Sequence, residues 1–285
     1  MLYLNIIIAG LLTGLVYGLM ALGLSVIFGV IRVVNFAHGE MMVMAMYAVY
    51  LANTFTGIDP LLLLPLVALA LFGFGYALQR LLINRYITRP EHEQFLLLLA
   101  VATIITASLL MGFGPDARNV QLGYAYDSFQ IGALLLDKVR VFAAAGAAAG
   151  TAALWAFFRF TRTGKAIRAC ADNHFAAQVV GLDVKRLYAV TFGLGAACVG
   201  AAGCLMLLLV DVQPYISTDY TLLAFIIVIL GGLGSMPGAL LGGVIVGVSE
   251  AVSGFVIEPS FKSAFSFGLL ILVLLVRPQG LLGRA

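Results

Sequence analysis

Six consecutive residues, Asn35-Phe36-Ala37-His38-Gly39-Glu40, place an amide, an imidazole and a carboxylate in a chain otherwise poor in polar side chains. The positive end of a helix dipole favours a carboxylate in the first turn. Glu40 therefore reads either as an interfacial carboxylate in contact with water or as a group placed for function. One imidazole and one carboxylate do not make a metal centre, which needs three ligands on separated elements. Glu250 is a second carboxylate in an apolar run. It lies about 9 Å from the outer end of its helix, facing a cavity or a neighbouring helix and not lipid. A further polar break falls at Gly231-Gly232-Leu233-Gly234-Ser235. An ionisable group inside a bilayer is costly, and so is a functional candidate by default. Asn35, His38, Gly39, Glu40, Gly231, Gly232, Gly234, Ser235 and Glu250 are therefore the candidates for a path or gate.

The elements that must position them are apolar helices. Of 285 residues, 62% are apolar and 10% charged, with mean hydropathy +1.09. A soluble domain carries about 25% charged residues. An ordinary soluble enzyme, a disordered chain and a nucleic-acid-binding domain are excluded. Apolar stretches fall at 4–30, 37–53, 60–79, 95–113, 139–158, 187–210, 221–231, 238–256 and 261–276. Runs such as Phe95 to Val101 do not alternate, so the spans are helices and not barrel strands. The expected fold is an all-α polytopic membrane protein, a single membrane domain over 1–285 with eight or nine transmembrane helices. The doubtful span is 222–230: nine apolar residues reach about 14 Å as a helix, half the hydrocarbon core. A broken or re-entrant element is expected near 222–236.

Basic residues set the orientation. With the loops 80–94 and 159–186 inside, twelve Lys and Arg fall inside and four outside. The N-terminus is then external and the C-terminus cytoplasmic. No Lys or Arg precedes Arg32, and the first apolar run is too long for a signal peptide, so it reads as a retained helix. Cys170, Cys198 and Cys204 fit neither a zinc site nor a disulfide framework and read as small packing residues.

Glycine is abundant, 32 residues. Gly10, Gly14 and Gly18 share one helix face, as do the pairs Gly238/Gly242 and Gly243/Gly247. Such faces let backbones approach closely, either inside the chain or along a lining or subunit contact. The similar breaks at 35–40 and 231–238 suggest two related halves.

The loop 159–186 carries six basic residues. Thr163 is expected to cap a short helix from about Gly164 to Asp172, and Asn173 a second one that ends at Gly181 in a left-handed conformation. Phe175, Val179 and Val180 lie on the second. A short capped helix outside the membrane suits docking to a cytoplasmic partner; lying on lipid headgroups is the competing reading. Gly164-Lys165 is not the end of a phosphate-binding loop, because Arg159 and Ala166 occupy the positions that need Gly and Ser/Thr. ATP, if used, must be hydrolysed by another chain.

Four stretches, NFAHGEMM at 35–42, TGKAIRACADNHFAAQVVGLDV at 163–184, GGLGSMPGALLGG at 231–243 and RPQGLLG at 277–283, resemble the LivH-type permeases of branched-chain amino acid ABC importers. The resemblance implies a multi-pass protein of the bacterial inner membrane, paired with a second related permease. It implies two cytoplasmic ATPase subunits, which would hold ATP and magnesium, and a periplasmic substrate-binding protein. No cofactor is expected on this chain, and no nucleic acid. The resemblance also implies that 163–184 contains the helix that couples to the ATPases, with Gly164, Arg168, Ala176, Ala177 and Gly181 matching the pattern. Phe175 departs from it, since a glutamate is frequent there. Members of the family also carry urea, amides or aromatic acids, and the pore helices do not fix the solute. From another class, a stand-alone secondary carrier would need coupling ions; no chain of carboxylates or histidines runs along several helices. A membrane enzyme would need clustered polar groups beyond Glu40 and Glu250.

Overall fold

The computed structural model describes residues 2–131, 134–257 and 261–283. It is helical almost throughout. In order come α1 (Leu2–Ile31), α2 (His38–Thr56), α3 (Pro60–Leu81), α4 (Glu91–Phe113), α5 (Lys138–Phe160), α6 (Arg162–Asp172), α7 (His174–Val179), α8 (Val184–Met206), α9 (Ile216–Gly231), α10 (Met236–Val256) and α11 (Lys262–Val276). Among the described residues six helices are long and apolar enough to cross a membrane: α1, α3 with the 3-10 turn that extends it, α4, α5, α8 and α10. The apolar helices α9 and α11 are shorter.

The doubtful span is a continuous helix. α9 begins at Ile216, six residues before the apolar run, so its 16 residues reach about 24 Å. The polar first turn, with Ser217 and Asp219, hid its length. The break follows the helix, at Gly232 and Gly234, both at positive φ.

The all-α expectation needs one addition. Between α4 and α5 lies an antiparallel hairpin, β1 (Ser128–Ile131) and β2 (Leu134–Asp137), with Ser128 opposite Asp137 and Phe129 opposite Leu136. Strands this short leave little periodicity to read. Asp59 and Asp137 cap α3 and α5 through their carboxylates. Asp59 also accepts from the Tyr124 hydroxyl at 2.9 Å. Burial, reinforced by that bond, raises the Tyr124 phenol well above its ordinary value.

α1 and α8 form the interior, and α3, α4 and α5 present most of their surface outward. Glycine explains how α1 meets α10. A Cβ on Gly14 would stand 2.8 Å from the Gly243 carbonyl, one on Gly243 2.4 Å from the Gly18 Cα, and one on Gly10 2.7 Å from the Ala251 Cβ. Backbone touches backbone along an antiparallel seam, where dispersion substitutes for the hydrophobic drive that lipid does not supply. These glycine faces are packing faces within the chain. Cys198 and Cys204 are likewise buried on α8.

The segment 277–283 docks on the end of α9. The Leu281 and Leu282 N–H groups donate to the Leu230 and Gly231 carbonyls, each at 2.9 Å. This satisfies carbonyls that a helix end leaves open. Arg284, counted among the inner basic residues, lies outside the described residues.

Candidate functional site

The turn before α2 does not sit at the mouth of the helices. Arg32, at φ +58, ends α1, and residues 32–35 carry no regular structure. The chain doubles back along α1 until the His38 Nε2 meets the Met20 carbonyl at 3.0 Å. Met20 is eleven residues short of the end of α1, about 16 Å along its axis. An extended run can cover that length in the six residues 32–37. α2 therefore starts deep inside the bundle.

Its first turn is fixed from α9. The Thr221 hydroxyl accepts from the Gly39 N–H at 2.9 Å and donates to Glu40 Oε2 at 3.1 Å. A side chain on Gly39 would collide with the Ser217 carbonyl and the Thr221 hydroxyl, which explains the glycine. Asn35 Oδ1 accepts from the Ala37 N–H at 3.1 Å. Asn35 and His38 are fully buried, and Glu40 is 6% exposed. Glu40 is thus not an interfacial carboxylate. The sequence places it near the start of a helix correctly, but the depth of that start depends on the path of 32–37, which carries no periodic signal.

Glu250 faces two helices. Its Oε2 accepts from the Tyr17 hydroxyl at 3.0 Å and its Oε1 from the Ser266 hydroxyl at 3.3 Å, tying α10 to α1 and α11. Gly231, Gly232, Gly234 and Ser235 form the α9–α10 turn. Ser235 caps α10 by accepting from the Gly238 N–H at 3.2 Å. A Cβ on Gly29 would stand 3.2 Å from the Gly234 Cα, so this break meets α1 two residues from its end. The break at 35–40 meets α1 nine residues, about 13 Å, farther in. The two breaks look alike in sequence but lie at different depths along α1. Thr221, Tyr17 and Ser266 do not stand out in the sequence; each is a hydroxyl in or beside an apolar run, a signal shared with ordinary helix residues.

On the loop 159–186, Thr161 and not Thr163 caps α6: its hydroxyl accepts from the Gly164 N–H at 2.9 Å. α5 ends so close to α6 that a Cβ on Gly164 would meet the Phe157 carbonyl, leaving no free linker in which Thr163 could act. α6 buries Gly164, Ile167 and Cys170 on one face and exposes Arg162, Lys165 and Arg168 on the other. Burial pushes the Cys170 thiol up, which keeps it protonated and inert. Asn173 caps α7, accepting from the Ala176 N–H at 2.9 Å, and Gly181 follows it at φ +85. Ala177 packs inward, while Ala176 is exposed. Phe175, Val179 and Val180 are 68%, 73% and 75% exposed. Exposed apolar side chains and the exposed basic residues Arg162, Lys165 and Arg168 thus share this segment.

Among the described residues no group of three His, Cys, Asp or Glu side chains could hold a metal ion. Two open clefts of about 290 and 270 Å³ lie between α1 and β2–α5 and beside residues 276–283; neither is lined by residues 35–40.

These features define a polytopic helical membrane protein with a buried polar cluster at the start of α2 and a short exposed helix pair between α5 and α8. The chain belongs to the family described as branched-chain amino acid transport system / permease component, whose model matches residues 6–274. It is 33% identical to the high-affinity branched-chain amino acid transport system permease protein LivH of Salmonella typhimurium, over 96% of this chain and 94% of the relative. It is 30% identical to the permease protein BraD of Pseudomonas aeruginosa, over 99% and 96%. It also matches the permease protein LivM of Escherichia coli, at 31% over 42% of this chain and 28% of the relative. No solved structure matches it.

Proposed function

We propose that the chain is a permease subunit of an ATP-binding-cassette importer, forming with a second, related permease the path for branched-chain or related amino acids. The observation that carries this reading is the pair α6–α7. It is capped by Thr161 and Asn173, packed on α5 through Gly164, and exposes Arg168 on α6 and Phe175, Val179 and Val180 on and just after α7. Two ATPase subunits receive this pair from the cytoplasm, and their closure on ATP moves it. That motion passes through α5 and α8 into the bundle and alternates access. A periplasmic binding protein delivers the solute and does most of the selection. ATP and magnesium belong to the ATPases. The likeness to both LivH and LivM supports a pair of related permeases.

The basic residues support an external N-terminus and a cytoplasmic C-terminus in the bacterial inner membrane, with α2, α9 and α11 completing nine crossings. The test is purification from native membranes in mild detergent, with mass spectrometry of the companions. The expected companions are two ATPases and a second permease; screening ligands of the binding protein then names the solute. A chain that purifies alone, even after crosslinking, would overturn the reading in favour of a stand-alone carrier.

A further inference from the structure

α1 and α5 run side by side in the same direction. Asn5 and Arg140, each in the first turn of its helix, line one cleft, and farther along a Cβ on Gly150 would stand 3.4 Å from the Leu19 side chain. The cleft holds about 290 Å³ and is open to the surroundings. Its polar groups gather where the two helices start. Arg140 Nε stands 3.5 Å from Asp137 Oδ2, and the two side chains are 41% and 44% exposed. So exposed a pair is weak, and it leaves the outer nitrogens of the guanidinium open to a further partner. The other carboxylate oxygen, Asp137 Oδ1, is committed to the Val139 N–H. Asn5 Oδ1 is buried and has no partner among the described residues, so it is an acceptor in need of a donor. The rest of the wall is apolar. Ile6, Ala9 and Leu12 form a stripe along α1 that reaches about 10 Å beyond Asn5, and Leu135 and Leu136 of β2 join it.

Water in this cleft would wet the apolar stripe, and an apolar helix laid over it would bury the Arg140–Asp137 pair and leave Asn5 Oδ1 unmatched. An amphiphile with a polar head and a hydrocarbon tail fits both parts, because the polar groups sit at the helix starts and the stripe runs inward from them. The charges of Arg140 and Asp137 cancel, so a head that carries both signs matches better than one with a net negative charge. Asn5 Oδ1 needs an N–H, which a primary ammonium has and a quaternary ammonium lacks. We propose that the cleft between α1 and the β2–α5 junction is a binding site for phosphatidylethanolamine, a membrane lipid whose head joins a phosphate diester to a primary ammonium. The phosphate pairs with the Arg140 guanidinium. The ammonium donates to Asn5 Oδ1 and Asp137 Oδ2. The upper part of one acyl chain follows Ile6, Ala9 and Leu12. The lipid thereby fastens the outward-facing α5 to the interior helix α1. This proposal goes beyond the importer reading and does not depend on it, since it needs only that the chain lies in a bilayer.

The test uses the full chain, with whatever companions purify with it, in an uncharged detergent. After delipidation it is titrated with phosphatidylethanolamine, phosphatidylcholine and phosphatidylglycerol of identical acyl chains, and bound lipid is counted by native mass spectrometry. Wild type is expected to retain phosphatidylethanolamine at least tenfold more strongly than either of the others. Arg140→Gln removes the phosphate partner and is expected to lose that retention. Asn5→Leu removes the bare acceptor and is expected to bring phosphatidylethanolamine down to the level of phosphatidylcholine. Lys138→Gln serves as the control: Lys138 pairs with Asp127 and does not line the cleft, so its loss should leave retention unchanged. Gel filtration checks that each variant is folded, and if Arg140→Gln is not, Asn5→Leu decides. Equal retention of the three lipids, a preference for phosphatidylglycerol, or wild-type retention in the folded variants overturns the site. A chain that purifies without companions and still shows the preference removes the importer reading and keeps the lipid site.

Discussion

Thr221 stands between Gly39 and Glu40: one hydroxyl accepts from the backbone of the first and donates to the carboxylate of the second, at 2.9 and 3.1 Å. A single side chain of α9 thus holds the start of α2. Thr221→Val leaves the shape nearly unchanged but strands a buried N–H and a carboxylate oxygen. The expected loss of stability is about 1–3 kcal/mol, with Thr221→Ser close to wild type. Thermal unfolding of the detergent-purified protein measures both; equal midpoints for Thr221→Val and wild type would show that the bonds contribute nothing.

The α1–α10 seam predicts a contrast between glycines. Gly14→Leu must separate two touching backbones and is expected to cost about 1–3 kcal/mol or to abolish folded protein. Gly73 on α3 has nothing within 4 Å of a Cβ, and Gly73→Leu should be tolerated. Folded yield by fluorescence-detected gel filtration separates the two; equal loss at both positions would remove the seam as the cause.

Arg168 is exposed on α6 and makes no ion pair among the described residues. Arg168→Glu should leave the fold intact and uncouple ATP hydrolysis from uptake. The measurement is the ratio of solute transported to ATP hydrolysed in proteoliposomes. An unchanged ratio would remove α6 from the coupling path.

Phe175 is 68% exposed and is free to contribute to a partner. Phe175→Ser should weaken retention of the ATPases by about 1 kcal/mol or more without lowering the unfolding temperature of the chain. Retention is read from subunit stoichiometry after a salt wash, and stoichiometric ATPase there would assign α7 to the lipid surface instead.

The helical class, most span positions and the Asn173–Gly181 frame of α7 were legible because each has a local cause: a long apolar run, or a side chain that caps its own neighbourhood. Thr161 and Thr163 are both capping residue types two positions apart, and only the close approach of α5 to Gly164, which starts α6 at Arg162, distinguishes them. α9 was underestimated because its first turn is polar. The depth of Glu40 was not legible at all, since it follows from a contact between residues 20 and 38 across an irregular segment. Sequence therefore named the polar candidates of this site but not their partners. Tyr17, Ser266 and Thr221 come from other helices, and long-range pairing leaves no periodic mark.

The clasp of residues 281 and 282 on α9 has a consequence in time. The carbonyls of Leu230 and Gly231 receive their donors from a segment synthesised fifty-one residues later. During translation, the end of α9 waits for those donors through the making of α10 and α11. The hydrogen bonding of α9 is therefore completed only after α10 and α11 have been made, and a nascent chain arrested before residue 281 carries an open helix end.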